Sequence, residues 1–271
     1  MMSPASRPIR RPPAVLCLSG HDPTGGAGIQ ADIEAVRAFG AHPVTVVTAL
    51  TAQDSRNVFQ VYPQPPAAFK AQLQRLVADV EVSVVKIGLL GSVAVAEVIL
   101  DLLETLGPIP VILDPILAAG GGSALADDPL FECLRDHLLP KTDWLTPNLP
   151  ELYRLSGRDE PEAAADQLLL GGVRQLLVTG AHAPDAEVIN HWFYSGGQKS
   201  WRWPRLSGDF HGSGCTLAAA LAAALARGDP DFEAVERAQI YTQRVLSRAY
   251  PLGQGQWIPG RWSKVSKAGW E

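Results

Sequence analysis

Short apolar runs bounded by glycine, proline and small polar residues recur along the chain, with stretches of helical periodicity between them. Residues 14–19, 44–50, 84–87 and 111–113 are nearly continuous apolar runs, the pattern of strands buried on both faces. Residues 143–145 and 175–179 add two more, and 58–62 reads as an edge or flap strand. Residues 188–194 and 198–203 flank Ser195-Gly196-Gly197 and predict a hairpin. Helices are predicted from Gly28 to about Phe39, over 65–80, from a Ser92 cap to about Leu106, and over 127–139. Further helices are predicted over 160–171, from the glycines at 212–214 through Ala226, and over 232–248. In 65–80, Phe69, Leu73, Leu76, Val77 and Val80 share one face.

Strands alternating with helices predict one α/β domain, a mostly parallel sheet with helices on both faces. We place it at residues 14–253. Residues 1–13, rich in Pro and Arg, are expected as a solvated tail, and 254–271 as a polar C-terminal tail carrying Trp257, Trp262 and Trp270. With 46% hydrophobic and 19% charged residues over 271 positions, a large core is available. The net charge of −5 predicts no nucleic-acid surface, so an anionic ligand must be met by local features. Apolar runs fall short of the ~18 residues needed to cross a bilayer, so no membrane role is expected. The three cysteines, Cys17, Cys133 and Cys215, have no metal-like spacing. Their odd number fits a reducing compartment, and a cytoplasmic protein is expected.

Five places carry candidate chemistry. His211-Gly212-Ser213-Gly214-Cys215-Thr216 runs into an Ala/Leu helix. Free N–H groups at a helix start carry partial positive charge, and glycine lets an anion reach them. Gly212, Ser213 and Gly214 are therefore an anion cradle with Cys215 inside it, and a thiol at a helix N-terminus is expected to have a lowered pKa. A glycine turn capping a buried helix is the alternative. Gly20 to Gly28 form a glycine-rich turn between strand and helix. Gln53, in the polar turn 51–55 at the carboxyl end of a strand, has a donor and an acceptor for the edge of a heterocycle, a plain surface residue being the alternative. Asp114 follows another strand, where it suits a cation or a substrate hydroxyl, or else only forms a turn before Pro115. Asn148 and Glu151, three apart at a helix start, suit a cation such as Mg²⁺ shared with nucleotide phosphates, or else form a capping box.

In combination, 19–32, 48–53, 86–88, 113–115, 146–151 and 211–217 resemble the ribokinase-like superfamily. Within it they resemble the bacterial hydroxymethylpyrimidine and phosphomethylpyrimidine kinases of thiamine biosynthesis, over about residues 15–248. The resemblance implies a three-layer αβα sandwich, a homodimer, and use of ATP and Mg²⁺. It implies phosphorylation of 4-amino-5-hydroxymethyl-2-methylpyrimidine, then of the monophosphate to the diphosphate. It further implies that Gln53, Gly20 and Asp32 bind substrate and that Asn148, Thr179 and Gly212 bind nucleotide. Asp114 and Glu151 would attend the metal, the 212–214 backbone would hold the phosphoryl group, and Cys215 would be the base. A pyridoxal or pyridoxine kinase, or a catalytically silent pyrimidine-binding protein, is the alternative.

Three positions depart from that pattern. Thr179, followed by Gly180-Ala181-His182, and Gly120 stand where the family usually has Lys, and Asp209-Phe210 replaces an Asn-Thr pair. His21, where Ser or Thr is common, is a candidate replacement cation. The missing lysines predict a weakened second phosphorylation, because that substrate already carries a phosphate. Glycines at 120–122 predict a mobile flap.

Overall fold

The computed structural model describes residues 11–180 and 186–262, and the backbone of 265–266 and 269–270. A nine-stranded sheet organises it, in the order β3-β2-β1-β4-β5-β6-β7-β8-β9. The parallel centre is β2 (His42–Gln53), β1 (Ala14–His21), β4 (Val82–Ile87), β5 (Val111–Leu113), β6 (Trp144–Leu145) and β7 (Gln175–Val178). Antiparallel strands close both sides: β3 (Val58–Pro63) beyond β2, and the hairpin β8 (Glu187–Tyr194) and β9 (Gly197–Pro204) beyond β7.

Strand β1 shows why three layers form. Leu16 and Leu18 point into one core while Val15 and Cys17 point into the other, and all four are fully buried. The first core is shared with α2 (Pro66–Asp79), α3 (Val93–Thr105), α4 (Asp128–Cys133), α5 (Leu149–Ser156) and α6 (Pro161–Leu170). The second is shared with α1 (Gly28–Ala38), α7 (Ser213–Ala226) and α8 (Asp231–Leu246). The Ala-rich face of α7 lets its backbone lie close to β1 and β4, so its N-terminus arrives at the carboxyl ends of the central strands.

Some boundaries differ from expectation. Strand β2 runs on through Thr51-Ala52-Gln53 because β3 pairs with that extension, so Gln53 ends a strand instead of lying in a turn. The helix expected over 127–139 stops at Cys133 and continues as a π-turn over Leu134–Leu138. Residues 118–123 form a compact turn closed by the Ala118–Ala124 bridge and tied to the β2–β3 connection through Asn57 Nδ2 donating to Ser123 Oγ (2.8 Å). Residues 254–262 run back over the body. Ile258 is buried in it, and the Gln256 N–H donates to Ser55 O and the Trp257 N–H to Asp209 O. The expected tail over 1–13 lies mostly outside the described residues, as do Ala181 and His182 and the side chain of Trp270. No described helix is long and apolar enough to cross a membrane.

Candidate active site

A cleft of about 1160 Å³ opens at the carboxyl ends of the central strands. Its floor is the start of α7. Gly212 is left-handed (φ 67°), and a Cβ there would collide with Gly26 O, so the turn into the helix requires glycine. Gly214 faces the strand ends: a Cβ on it would sit 3.6 Å from Asp114 Oδ1. Gly20 lines the same wall, its carbonyl pressed against Gly28 where α1 begins.

Cys215 is buried beside Asp114, and the expected low thiol pKa is not what this burial produces. Desolvation, then the Asp114 charge, push the thiol up to about 12, against smaller opposing effects of Lys86 and the Gly28 N–H. The helix start supplies about half a charge, too little to offset complete removal from water. Asp114 is itself raised to about 6 by burial, with Lys86 and a hydrogen bond from Cys215 opposing. Its Oδ2 is buried with no hydrogen-bond partner.

Asn148 and Glu151 form the capping box of α5. Asn148 Oδ1 accepts from Glu151 N (2.9 Å), and Glu151 Oε2 accepts from Asn148 N (3.0 Å). Glu151 also lines the cleft, and burial followed by the Asp114 charge raises its pKa to about 8. Two carboxyls, each reluctant to ionise, one with an orphaned oxygen, fit a hard cation shared with phosphate oxygens. Among the described residues no three His, Cys, Asp or Glu side chains gather to hold a metal unaided. Thr179 lines the cleft where β7 ends, bridged to Asn148.

Asp32 does not line the cleft. It is fully buried below it, paired with Lys86 Nζ (2.8 Å) and accepting from Ser19 Oγ (2.5 Å). Its place on the inward side of α1 makes it the counter-charge of a buried lysine, not a substrate contact. Burial pulls the Lys86 pKa down, but the Asp32 charge outweighs it and the ammonium is raised above its ordinary value.

Gln53 lines the opposite wall within a small network that the sequence reading did not identify. His211 Nε2 is 2.8 Å from Asp22 Oδ2 and 3.1 Å from Gln53 Nε2, and Thr51 Oγ1 is 2.8 Å from Gln53 Oε1. Burial of Asp22 is outweighed by its His211 and Thr24 partners, so its carboxyl is held below the ordinary value. His21 also lines the cleft. Gly120 lies against the Gln256 carboxamide, which a longer side chain would displace.

Arg261 is the second unforeseen feature. Its side chain is fully buried. It donates to Gly25 O (3.0 Å), Gly26 O (2.9 Å), Thr216 Oγ1 (3.0 Å) and Glu34 Oε2 (2.9 Å), tying the glycine turn to the start of α7. No local pattern announces it, because its partners lie up to 236 positions away.

The three-layer fold with a helix-start cradle at its strand ends defines a ribokinase-like kinase. Residues 22–259 match the family model described as phosphomethylpyrimidine kinase. The chain belongs to the phosphomethylpyrimidine kinase family. It is 39% identical to the hydroxymethylpyrimidine/phosphomethylpyrimidine kinase of Streptomyces coelicolor, over 93% of this chain and 95% of that one. It is 38% identical to the thiamine biosynthesis bifunctional protein ThiED of Geobacter sulfurreducens, over 89% of this chain but only 51% of that protein. Among solved structures, an ADP complex of Bacillus subtilis pyridoxal kinase superposes with a TM-score of 0.85 at 26% identity, covering 92% of this chain and 97% of that one. A phosphomethylpyrimidine kinase from Clostridium difficile gives 0.76 at 28%, covering 86% and 99%.

Proposed function

We propose that this chain transfers the γ-phosphoryl group of ATP to 4-amino-5-hydroxymethyl-2-methylpyrimidine, and with lower efficiency to its monophosphate, in the cytoplasm and as a homodimer. The observation that carries this reading is the convergence of three things on one cleft: the α7 start, the Asp114–Glu151 carboxyls and the Gln53 carboxamide. Phosphoryl transfer needs chiefly positioning and neutralisation of charge on the equatorial oxygens. Backbone N–H groups of 213–215 hold the transferring group, and the dipole of α7 favours its negative charge. Asp114 and Glu151 would hold Mg²⁺, which would neutralise phosphate charge. Asn148 and Thr179 face the nucleotide. Gln53 pairs with the aminopyrimidine edge, and Gly20 leaves room for the ring.

Cys215 is protonated at neutral pH. A thiol that keeps its proton does not take the hydroxymethyl proton, which passes instead to an oxygen of the transferred phosphoryl group. Because the transition state is loose, this proton moves late and contributes little, so Cys215 serves mainly to shape the pocket.

The likeness to pyridoxal kinase supports a second reading, phosphorylation of a hydroxymethyl group on a pyridine ring. Steady-state ADP release with the free aminopyrimidine, its monophosphate and pyridoxal separates these. The expected order of kcat/KM is alcohol first, monophosphate at least tenfold lower for want of the two lysines, and pyridoxal last. Comparable values for the two pyrimidines reject the weakened second step. Preference for pyridoxal favours the second reading. Binding without turnover means a silent protein. Sedimentation of the purified chain checks the dimer.

A further inference from the structure

The donors and acceptors around Gln53 restrict which way its carboxamide lies. Asp22 accepts from Thr24 N (2.8 Å), Ala27 N (2.8 Å) and Thr24 Oγ1 (3.0 Å), so it is an ionised acceptor. His211 Nε2, 2.8 Å from Asp22 Oδ2, therefore carries a hydrogen. The same nitrogen, with its one hydrogen directed at Asp22 and no lone pair left, is 3.1 Å from one end of the Gln53 carboxamide, and that end cannot donate to it. At the other end, the single hydroxyl hydrogen of Thr51 goes to His21 O (2.9 Å). Thr51 Oγ1 then faces Gln53 at 2.8 Å with lone pairs only, and that end must donate. With its NH₂ toward His211 the carboxamide would set donor against donor there, and Thr51 would be asked to donate twice. Turned over, with oxygen toward His211 and NH₂ toward Thr51, no donor meets a donor: the one Nε2 hydrogen lies between two acceptors, Asp22 Oδ2 nearer at 2.8 Å and Gln53 at 3.1 Å, and Thr51 donates once.

We infer that His211, held by Asp22, fixes the orientation of the Gln53 carboxamide and thereby the order of donor and acceptor shown to the pyrimidine. The inference rests on the proposed function, in which Gln53 meets the ring. An aminopyrimidine presents an acceptor at N3 beside a donor at the 4-amino group. Its 4-oxo counterpart presents the reverse, a donor at N3 and an acceptor at C4. The hydroxymethyl group at C5 must face the cradle, so the ring has no freedom to turn over and hide the mismatch. A carboxamide locked one way accepts the amino compound and rejects the oxo compound, and a freed carboxamide turns to suit either. Locking needs no added contact with the substrate, only a fixed donor on His211. The ring is braced for this, because a Cβ on Gly26 would collide with His211 Cδ2.

The test is the ratio of kcat/KM for the 4-amino and 4-oxo hydroxymethylpyrimidines in wild type, His211→Leu and His211→Gln. Leucine removes the donor, and the ratio is expected to fall by roughly tenfold or more, about the value of one hydrogen bond. Glutamine returns an N–H near the Nε2 position, and the ratio is expected to recover. A general loss of structure lowers both rates and leaves the ratio in place. Should His211→Leu fail to fold, Thr51→Val, which suits a strand, is expected to lower the ratio several-fold in the same direction. An unchanged ratio in whichever of these variants folds overturns the inference while the proposed function stands. A wild-type protein that phosphorylates neither pyrimidine removes the proposed function, and this inference with it.

Discussion

Cys215 shows how burial overrules a local rule. The helix start at Gly212–Gly214 favours a thiolate, yet desolvation and Asp114 push the group up to about 12. Cys215→Ser is therefore expected to keep kcat within about tenfold of wild type, since a loose transition state needs little base. A loss of a thousandfold or more would show that Sγ takes part in proton transfer early. Residue identity at the cleft was largely legible, because Gln53, Asp114, Asn148 and Gly212 each follow a strand or open a helix. Which way a helical residue faces was not. Asp32 lies in a matching motif, yet its side chain turns inward to Lys86, whose charge no neighbouring sequence reveals.

At the scale of elements, the start of α5 carries opposing demands. The capping box stabilises the helix, while the carboxyl of Glu151, raised to about 8 beside Asp114, costs stability once ionised. The sign follows from proton binding. Between the ordinary glutamate value near 4.5 and about 8, the folded state binds more protons at this site than the unfolded state does. Stability from this group is thus greatest at low pH and declines as pH rises through that window. Asp114, raised to about 6, acts in the same direction over a lower range. The ligand-free protein is expected to gain melting temperature from pH 8 to pH 6. Glu151→Gln keeps the capping box, and is expected to be more stable than wild type at pH 8, with a smaller gain on acidification. Thermal melts at the two pH values check this, and a Gln variant less stable than wild type at pH 8 would contradict it. The sequence presented metal ligation and capping as alternatives at Asn148 and Glu151. The formed capping box leaves Glu151 on the wall of the cleft, so the two roles are compatible.

Across the whole molecule, alternating strands and helices were readable in order because each buried strand is a separate apolar run. The extension of β2, the π-turn after α4 and the course of 254–262 were not, since partners distant in sequence decide them. Arg261 is the clearest case. It joins the turn before α1 to the start of α7 and so braces the floor of the cleft from outside. Arg261→Met strands two carbonyls and is expected to cost about 2–4 kcal/mol. That lowers Tm by roughly 5–10 °C for a domain of this size, and Arg261→Lys is expected to fall between. A Met variant that melts with the wild type would show the clamp to be dispensable.

The central claim is that the backbone at the start of α7 receives the group that ATP gives up while Gln53 holds the acceptor ring. A crystal structure with the hydroxymethylpyrimidine and a non-hydrolysable ATP analogue tests it most directly. The γ-phosphoryl oxygens are expected within hydrogen-bond distance of the N–H groups of 213–215, and the pyrimidine edge against Gln53. A terminal phosphate placed away from Gly212–Gly214, or a ring that does not touch Gln53, would contradict it.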